Sequence, residues 1–148
     1  MIDTADDVLT AHNHALAAAG YLEAAGWLAS WHESHPEADE QGYEGDHRDG
    51  PFSEAAWTHA FDAVADLVST LNDPGDVARY LETIDSYGEH GPAERLGHDL
   101  WLTRNGHGAG FWDRGLGELG ERLSEAARSL GEATSYVDTD DVVHVESW

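Results

Sequence analysis

The chain has no cysteine and no lysine among its 148 residues. Without thiols it can form no disulfide and run no thiolate chemistry, and cysteine-rich zinc sites are excluded as well. Without lysine, all 7 of its basic side chains are arginine, set against 30 Asp and Glu for a formal charge of −23. A surface so poor in cations does not hold nucleic-acid phosphates, which need clustered Lys and Arg. Nor does it dock as a polybasic segment on an anionic membrane. Long apolar runs are also missing, and none approaches the roughly 20 residues that span a bilayer. The acidic start of the chain carries no basic-then-apolar leader, so a cytoplasmic location is expected. There is no Gly-x-Ser-x-Gly elbow and no evident Ser–His–Asp set.

What is present argues for a folded protein. Hydrophobic residues make up 41% of the chain and six are Trp, which separates it from acidic disordered sequences. The length fits one domain over residues 1–148, large enough to bury about two-thirds of its unfolded surface. Abundant Ala, Gly and Asp with no Lys also match a very GC-rich or salt-adapted genome. In that case the acidity would serve solubility alone.

Residues 1–31 are Ala-rich and read as helical, with Gly20 and Gly26 marking a break. Residues 32–52, HESHPEADEQGYEGDHRDGPF, have no period and read as an acidic surface loop. Residues 53–96 read as a helical hairpin. Ser53 caps its first helix, and Trp57, Phe61, Val64, Val68 and Leu71 step by four and three along one face. Asp73 and Pro74 open the second helix, which buries Val77, Tyr80, Leu81 and Ile84 and stops at Gly88. Residues 97–148 read as ββαββ. Alternation at 99–104, Asn105-Gly106 and an apolar 110–114 suggest a hairpin, although Leu96, Leu100 and Trp101 also fit a helix through 93–104. A helix over 117–130 with Gly131 at its end and a terminal hairpin, 133–137 with 142–146, complete the reading. The expected fold class is α+β, with N-terminal helices packed on a small antiparallel sheet in the order ααα-ββαββ.

The densest motif is GHDLWLTRNGHGAGFWDRGLGE at 97–118. It resembles a block, GHDFWLTRNGHGAGFWDRGLG, in a family of small phage- and plasmid-encoded proteins, with Leu100 where that family usually has Phe. The flanks are similar too. Family members have an N-terminal helix ending in a Trp-Ser element and an acidic loop, like Trp27–Asp49. They end in a helix and a Tyr-Val-Asp-Asp hairpin, like Gly117–Val145. The resemblance implies a mobile-element setting and supplies no catalytic residues.

Three kinds of site are open. Within the block, Arg104, Asn105 and His107 stand beside Trp101, Phe111 and Trp112, with Asp99 and Asp113 near the ends. Such a set could stack a base and pair a phosphate, or use His107 with an aspartate for acid–base work. The same residues could equally be a bulged hairpin with Arg104–Asp113 as its cross-strand pair. His32, His35 and His47 could hold Zn²⁺ or Ni²⁺, but His32-Glu33-Ser34-His35 lacks the four-residue zincin spacing. Glu37–Arg48 begins like a calcium loop and ends in Arg where a Glu is required. No metal or cofactor is therefore assigned.

The third kind of site is the charge itself. Loop acids Glu37, Asp39, Glu40, Glu44 and Asp46, the helix pair Asp62 and Asp66, and the turn acids Asp138, Asp140 and Asp141 could place carboxylates where a nucleic acid places phosphates. Such a chain would occupy the basic groove of a nucleic-acid-binding protein, with a fast, salt-sensitive encounter. In a mobile-element setting the partners expected are host defence nucleases or restriction complexes in the host cytoplasm. The alternatives are a small enzyme or ligand-binding protein built on Arg104, His107 and Asp113, and a salt-adapted accessory protein without inhibitory role.

Overall fold

The computed structural model describes residues 9–27, 49–84, 90–106 and 109–147. Among the described residues, five α-helices come first and a two-stranded antiparallel sheet follows. We number them α1 (Ala11–Trp27), α2 (Glu54–Thr70), α3 (Gly75–Thr83), α4 (Pro92–Arg104) and α5 (Glu118–Ser129), followed by β1 (Ala133–Val137) and β2 (Val143–Ser147). A single 3₁₀ turn, Phe111–Asp113, lies between α4 and α5. The α+β class stands, but the ααα-ββαββ order does not, because the first predicted pair of strands is absent.

That pair fails for a definite reason. The stretch expected as strand 99–104 is the second half of α4. Pro92 sits at the helix start, where its missing N–H costs nothing. Buried Ala93, Leu96, Gly97, Leu100, Trp101 and Arg104 then recur at three- and four-residue steps. The alternation of Leu100 and Leu102 with Trp101 and Thr103 is four residues long and loses to this period. Asn105-Gly106 ends a helix and does not turn a hairpin. Gly106 has φ +68°, which glycine adopts without strain, and its N–H bonds the Thr103 carbonyl. Residues 110–114 follow as the 3₁₀ turn rather than a strand.

α1 is the central helix and runs unbroken through Gly20, contrary to the expected break. Its neighbour is α4, and the two cross where neither has room for a side chain. A Cβ on Gly20 would fall on the carbonyl oxygen of Glu94, and one on Gly97 on the carbonyl oxygen of Ala17. Glycine is there for close backbone approach.

α2 begins as expected, with Ser53 Oγ accepting the Ala56 N–H at 3.0 Å. Its buried side is Ala56, Ala60, Ala63, Val64, Leu67 and Val68, which puts Trp57 and Phe61 on the flank, each 37% exposed. α3 does not fold back on α2 as a hairpin; it packs on α4 and α5. Asp73 Oδ1 accepts the Gly75 N–H at 2.9 Å at its start. The expected stop at Gly88 lies outside the described residues.

The terminal hairpin and α5 are where the sequence put them, within a residue. Ala133, Ser135 and Val137 pair with Ser147, Val145 and Val143. This row faces the helices, and Ser135 Oγ donates to the Ala25 carbonyl of α1 at 2.8 Å. The outer edge of β2 is covered by residues 51–53, through Ser53 N–H to the Val143 carbonyl and Val143 N–H to the Pro51 carbonyl. One apolar cluster joins all five helices and both strands.

Candidate functional site

The polar residues of the 97–118 block are the natural place to look for chemistry, and three of them, Asp99, Thr103 and Arg104, lie inside the molecule. Asp99 is fully buried. Its Oδ2 accepts the Tyr80 hydroxyl at 2.7 Å, and Arg114 reaches Oδ1 through Nε at 3.0 Å and Nη2 at 2.7 Å. Burial first, then the Asp99 charge, push the Tyr80 hydroxyl far above the ordinary phenol range. The hydrogen bond to Asp99 holds the Arg114 guanidinium firmly charged.

Arg104, also buried, turns the other way. Nε donates to the Gly131 carbonyl at 2.7 Å and Nη2 to the Leu130 carbonyl at 3.0 Å, just past the end of α5. A cation there meets the negative end of the helix and its unpaired carbonyls. Nη1 donates to the Tyr21 hydroxyl at 3.0 Å. Asn105 completes the joint, with Nδ2 donating to the Trp101 carbonyl at 3.0 Å and Oδ1 accepting the Ala133 N–H at 2.8 Å. Thr103 Oγ1 accepts the Phe111 N–H at 3.0 Å. Trp101 packs edge-on against Tyr21 at 5.2 Å.

Arg104 and Asp113 therefore do not pair. Arg104 holds the end of α5, Arg114 holds Asp99, and Asp113 and Trp112 face solvent. Arg104 and Asp113, two of the three groups of the ligand-binding alternative, are not gathered in one cleft, and His107 lies outside the described residues.

One concavity does touch this network. A half-open hollow of about 230 Å³ is lined by His59, Asp62, Ala63, Asp66, Arg104, Leu130 and Ser147. The Tyr21 hydroxyl lies 2.7 Å from His59 Nε2, and Ser147 Oγ lies 3.4 Å from His59 Nδ1. A serine beside a histidine suggests nucleophilic catalysis, but the hydrogen positions oppose it. The Tyr21 oxygen already accepts from Arg104, so its own proton goes to His59 Nε2. His59 then carries its proton on Nδ1 and donates toward Ser147, where a general base would accept. Burial, followed by the nearby Arg104 charge, holds His59 down to about 4, and burial lifts Tyr21 to about 12. This is a neutral structural relay.

The acidic candidates divide. Asp62 and Asp66 stand one turn apart on the exposed side of α2, across from the Trp57–Phe61 flank. Phe52, Trp57 and Phe61 form a short aromatic row with ring centroids 5.9 and 6.5 Å apart. Asp138 builds the hairpin turn. Its Oδ1 accepts the N–H groups of Asp140 and Val142, and its Oδ2 meets His144 Nε2 at 2.7 Å. The His144 contact, then the Val142 N–H, hold its carboxyl below the usual range. Asp140 and Asp141 are exposed at the tip, Asp141 with φ +64°. Glu37, Asp39, Glu40, Glu44 and Asp46 lie outside the described residues, as do His32, His35 and His47.

Sequence reasoning missed two groupings. Asp76, on α3, is buried between Arg79 at 2.7 Å and Arg122 of α5 at 2.8 Å. The second joins Glu23 of α1 with His90, just before α4, and His98 in the middle of α4. Glu23 Oε1 lies 2.9 Å from His98 Nε2 and 3.1 Å from His90 Nε2, and Glu94 Oε2 lies 3.2 Å from His90 Nδ1. The imidazole rings meet edge to face at 4.7 Å. Burial lowers the proton affinity of His98, against the raising effect of Glu23. The four-residue steps His90, Glu94, His98 were visible in the sequence; Glu23, 67 residues upstream of His90, was not.

Comparison with protein-family models, with curated proteins and with solved structures finds no match to this chain.

Proposed function

We propose that the chain is a non-enzymatic acidic interaction protein that engages a basic, nucleic-acid-binding partner, standing in for the nucleic acid. The observation that carries this reading is where the cations go. Arg104 is used on helix carbonyls, Arg114 on buried Asp99, and Arg79 and Arg122 on buried Asp76. These four guanidiniums are engaged by the fold, Arg104 buried, and Arg79 and Arg122 about half exposed with Arg79 also meeting the exposed Asp73, which leaves fewer cations for the other surface carboxylates. Asp62, Asp66 and Asp140 then present a fixed anionic surface. The aromatic row at Phe52, Trp57 and Phe61 lies on the other flank of α2 from Asp62 and Asp66 and adds apolar anchorage apart from the acids. In the mobile-element setting that the block suggests, the partner would be a host defence or nucleic-acid-processing protein.

The ligand-binding alternative loses its main support because Arg104 and Asp113 diverge. The salt-adaptation alternative shares the same surface and differs only in having no partner. The test is capture from lysate of the encoding organism or its host, washed at low and high salt, with a Asp62→Arg/Asp66→Arg variant run alongside. The expected result is a stoichiometric nucleic-acid-binding protein, released by salt and absent with the variant. A bait that captures nothing, or captures the same protein after charge reversal, contradicts the proposal.

A further inference from the structure

We propose that Glu23, His90 and His98 form a binding site for a divalent transition-metal ion, Zn²⁺ foremost, with Glu94 orienting His90. Two imidazoles and one carboxylate are a donor set that Zn²⁺ takes readily, leaving a fourth position for water. Hard cations such as Ca²⁺ and Mg²⁺ prefer all-oxygen surroundings.

Geometry favours the same occupant. With bonds of 2.0–2.1 Å, neighbouring corners of a tetrahedral site lie about 3.3 Å apart. Glu23 Oε1 is 2.9 Å from His98 Nε2 and 3.1 Å from His90 Nε2, and all three atoms lie within 4.8 Å of one another. Small side-chain adjustments admit an ion at their centre.

The hydrogen-bond accounting at His90 points the same way. Both its ring nitrogens face carboxylate oxygens, Nδ1 toward Glu94 at 3.2 Å and Nε2 toward Glu23 at 3.1 Å. A neutral imidazole has one N–H. If the ring is neutral and Nδ1–H goes to Glu94, the Nε2 lone pair confronts a carboxylate oxygen, and a second proton or a metal ion between them turns that repulsion into attraction. A carboxylate on the far nitrogen of a metal-binding histidine is the usual orienting device.

The fold brings these groups together without a local motif. The close crossing at Gly20 and Gly97 sets α1 on α4. Glu23 lies just beyond Gly20 on α1, and Glu94, whose carbonyl Gly20 touches, lies one turn before His98. An ion here would clip α1 to α4 and to the residues that lead into it.

The experiment is calorimetric titration of the untagged, chelator-stripped full chain with ZnCl₂. It should show one saturable site, and the thermal midpoint should rise by roughly 5–10 °C at a hundredfold excess over Kd. Co²⁺ in place of Zn²⁺ should give the visible absorption of a tetrahedral ion. Glu94→Gln should weaken binding roughly 10–100-fold, and His90→Ala or Glu23→Gln by more. His144→Ala, at a histidine of the terminal hairpin, should bind as the parent does. Metal-free midpoints near that of the parent confirm that the variants fold. The proposal is overturned by the absence of a saturable one-equivalent site. Undiminished binding in the Glu23→Gln/His90→Ala double variant, an adventitious ion only, overturns it too, as does equal binding of Ca²⁺.

Discussion

Asp99 and Arg104 lie five residues apart on one helix and hold different parts of the molecule. Asp99 is closed in by Tyr80 and Arg114, and Arg104 by the end of α5 and Tyr21. Breaking a buried ion pair costs roughly 3–5 kcal/mol, because the remaining charge has lost its partner. The cost should be uneven here. Arg114→Ala strands a fully buried carboxylate, whereas Asp99→Asn strands a guanidinium that is 23% exposed and can turn to water. Urea unfolding should therefore show Arg114→Ala to be the more damaging change; equal or reversed costs would contradict the assignment. His59 offers a second check. Its native affinity for protons is held down to about 4 by burial, so the unfolded chain takes up the proton first as pH falls. The stability it contributes is complete above the unfolded value near 6.5 and is lost as pH drops toward 4. His59→Gln should flatten the stability profile across that window, measured by urea midpoints. An unchanged slope would mean His59 is not the group responsible.

Elements were legible where their signals were long and local. α2 follows from Ser53 and a clear apolar period, α5 from its amphipathic face, and the hairpin from alternation on both sides of Asp138–Asp141. α4 left two readings open, because Asn-Gly ends helices as readily as it turns hairpins and a short alternation competed with the helical period. The close packing of Gly97 on α1, some 75 residues away in the chain, was not visible in the sequence. The orientation of α3 was illegible for the same reason. Its partner Asp76–Arg122 spans 46 residues. The candidate site was read in part. The block was singled out for its polar residues, but Asp99, Arg104 and Asn105 serve the fold, and sequence alone does not tell a polar residue aimed inward from one aimed at a ligand. The helix crossing gives the element-scale prediction. Gly→Ala within a helix ordinarily stabilises by up to about 1 kcal/mol. Gly20→Ala and Gly97→Ala should each destabilise, since the new methyl meets backbone across the crossing. A raised thermal midpoint in either variant would refute the close approach.

For the whole molecule, charge dominates. A formal −23 on a chain of 148 residues opposes compaction by self-repulsion. The buried pairs at Asp76 and Asp99 are poorly screened by salt, whereas repulsion between surface carboxylates is screened over about 10 Å at 0.1 M. Raising NaCl from roughly 0.05 to 0.5 M should therefore raise the thermal midpoint; a fall would mean that exposed attractive pairs outweigh the repulsion. Within the described residues no helix is long and apolar enough to cross a membrane. The reading as a nucleic-acid stand-in is tested most directly by competition. The captured partner is loaded with a labelled nucleic acid that it binds, and the chain is titrated in while fluorescence anisotropy is followed. The account predicts full displacement at one equivalent, weakened by added salt and abolished by Asp62→Arg/Asp66→Arg. A stable ternary complex, with the nucleic acid still bound at saturation, would contradict it.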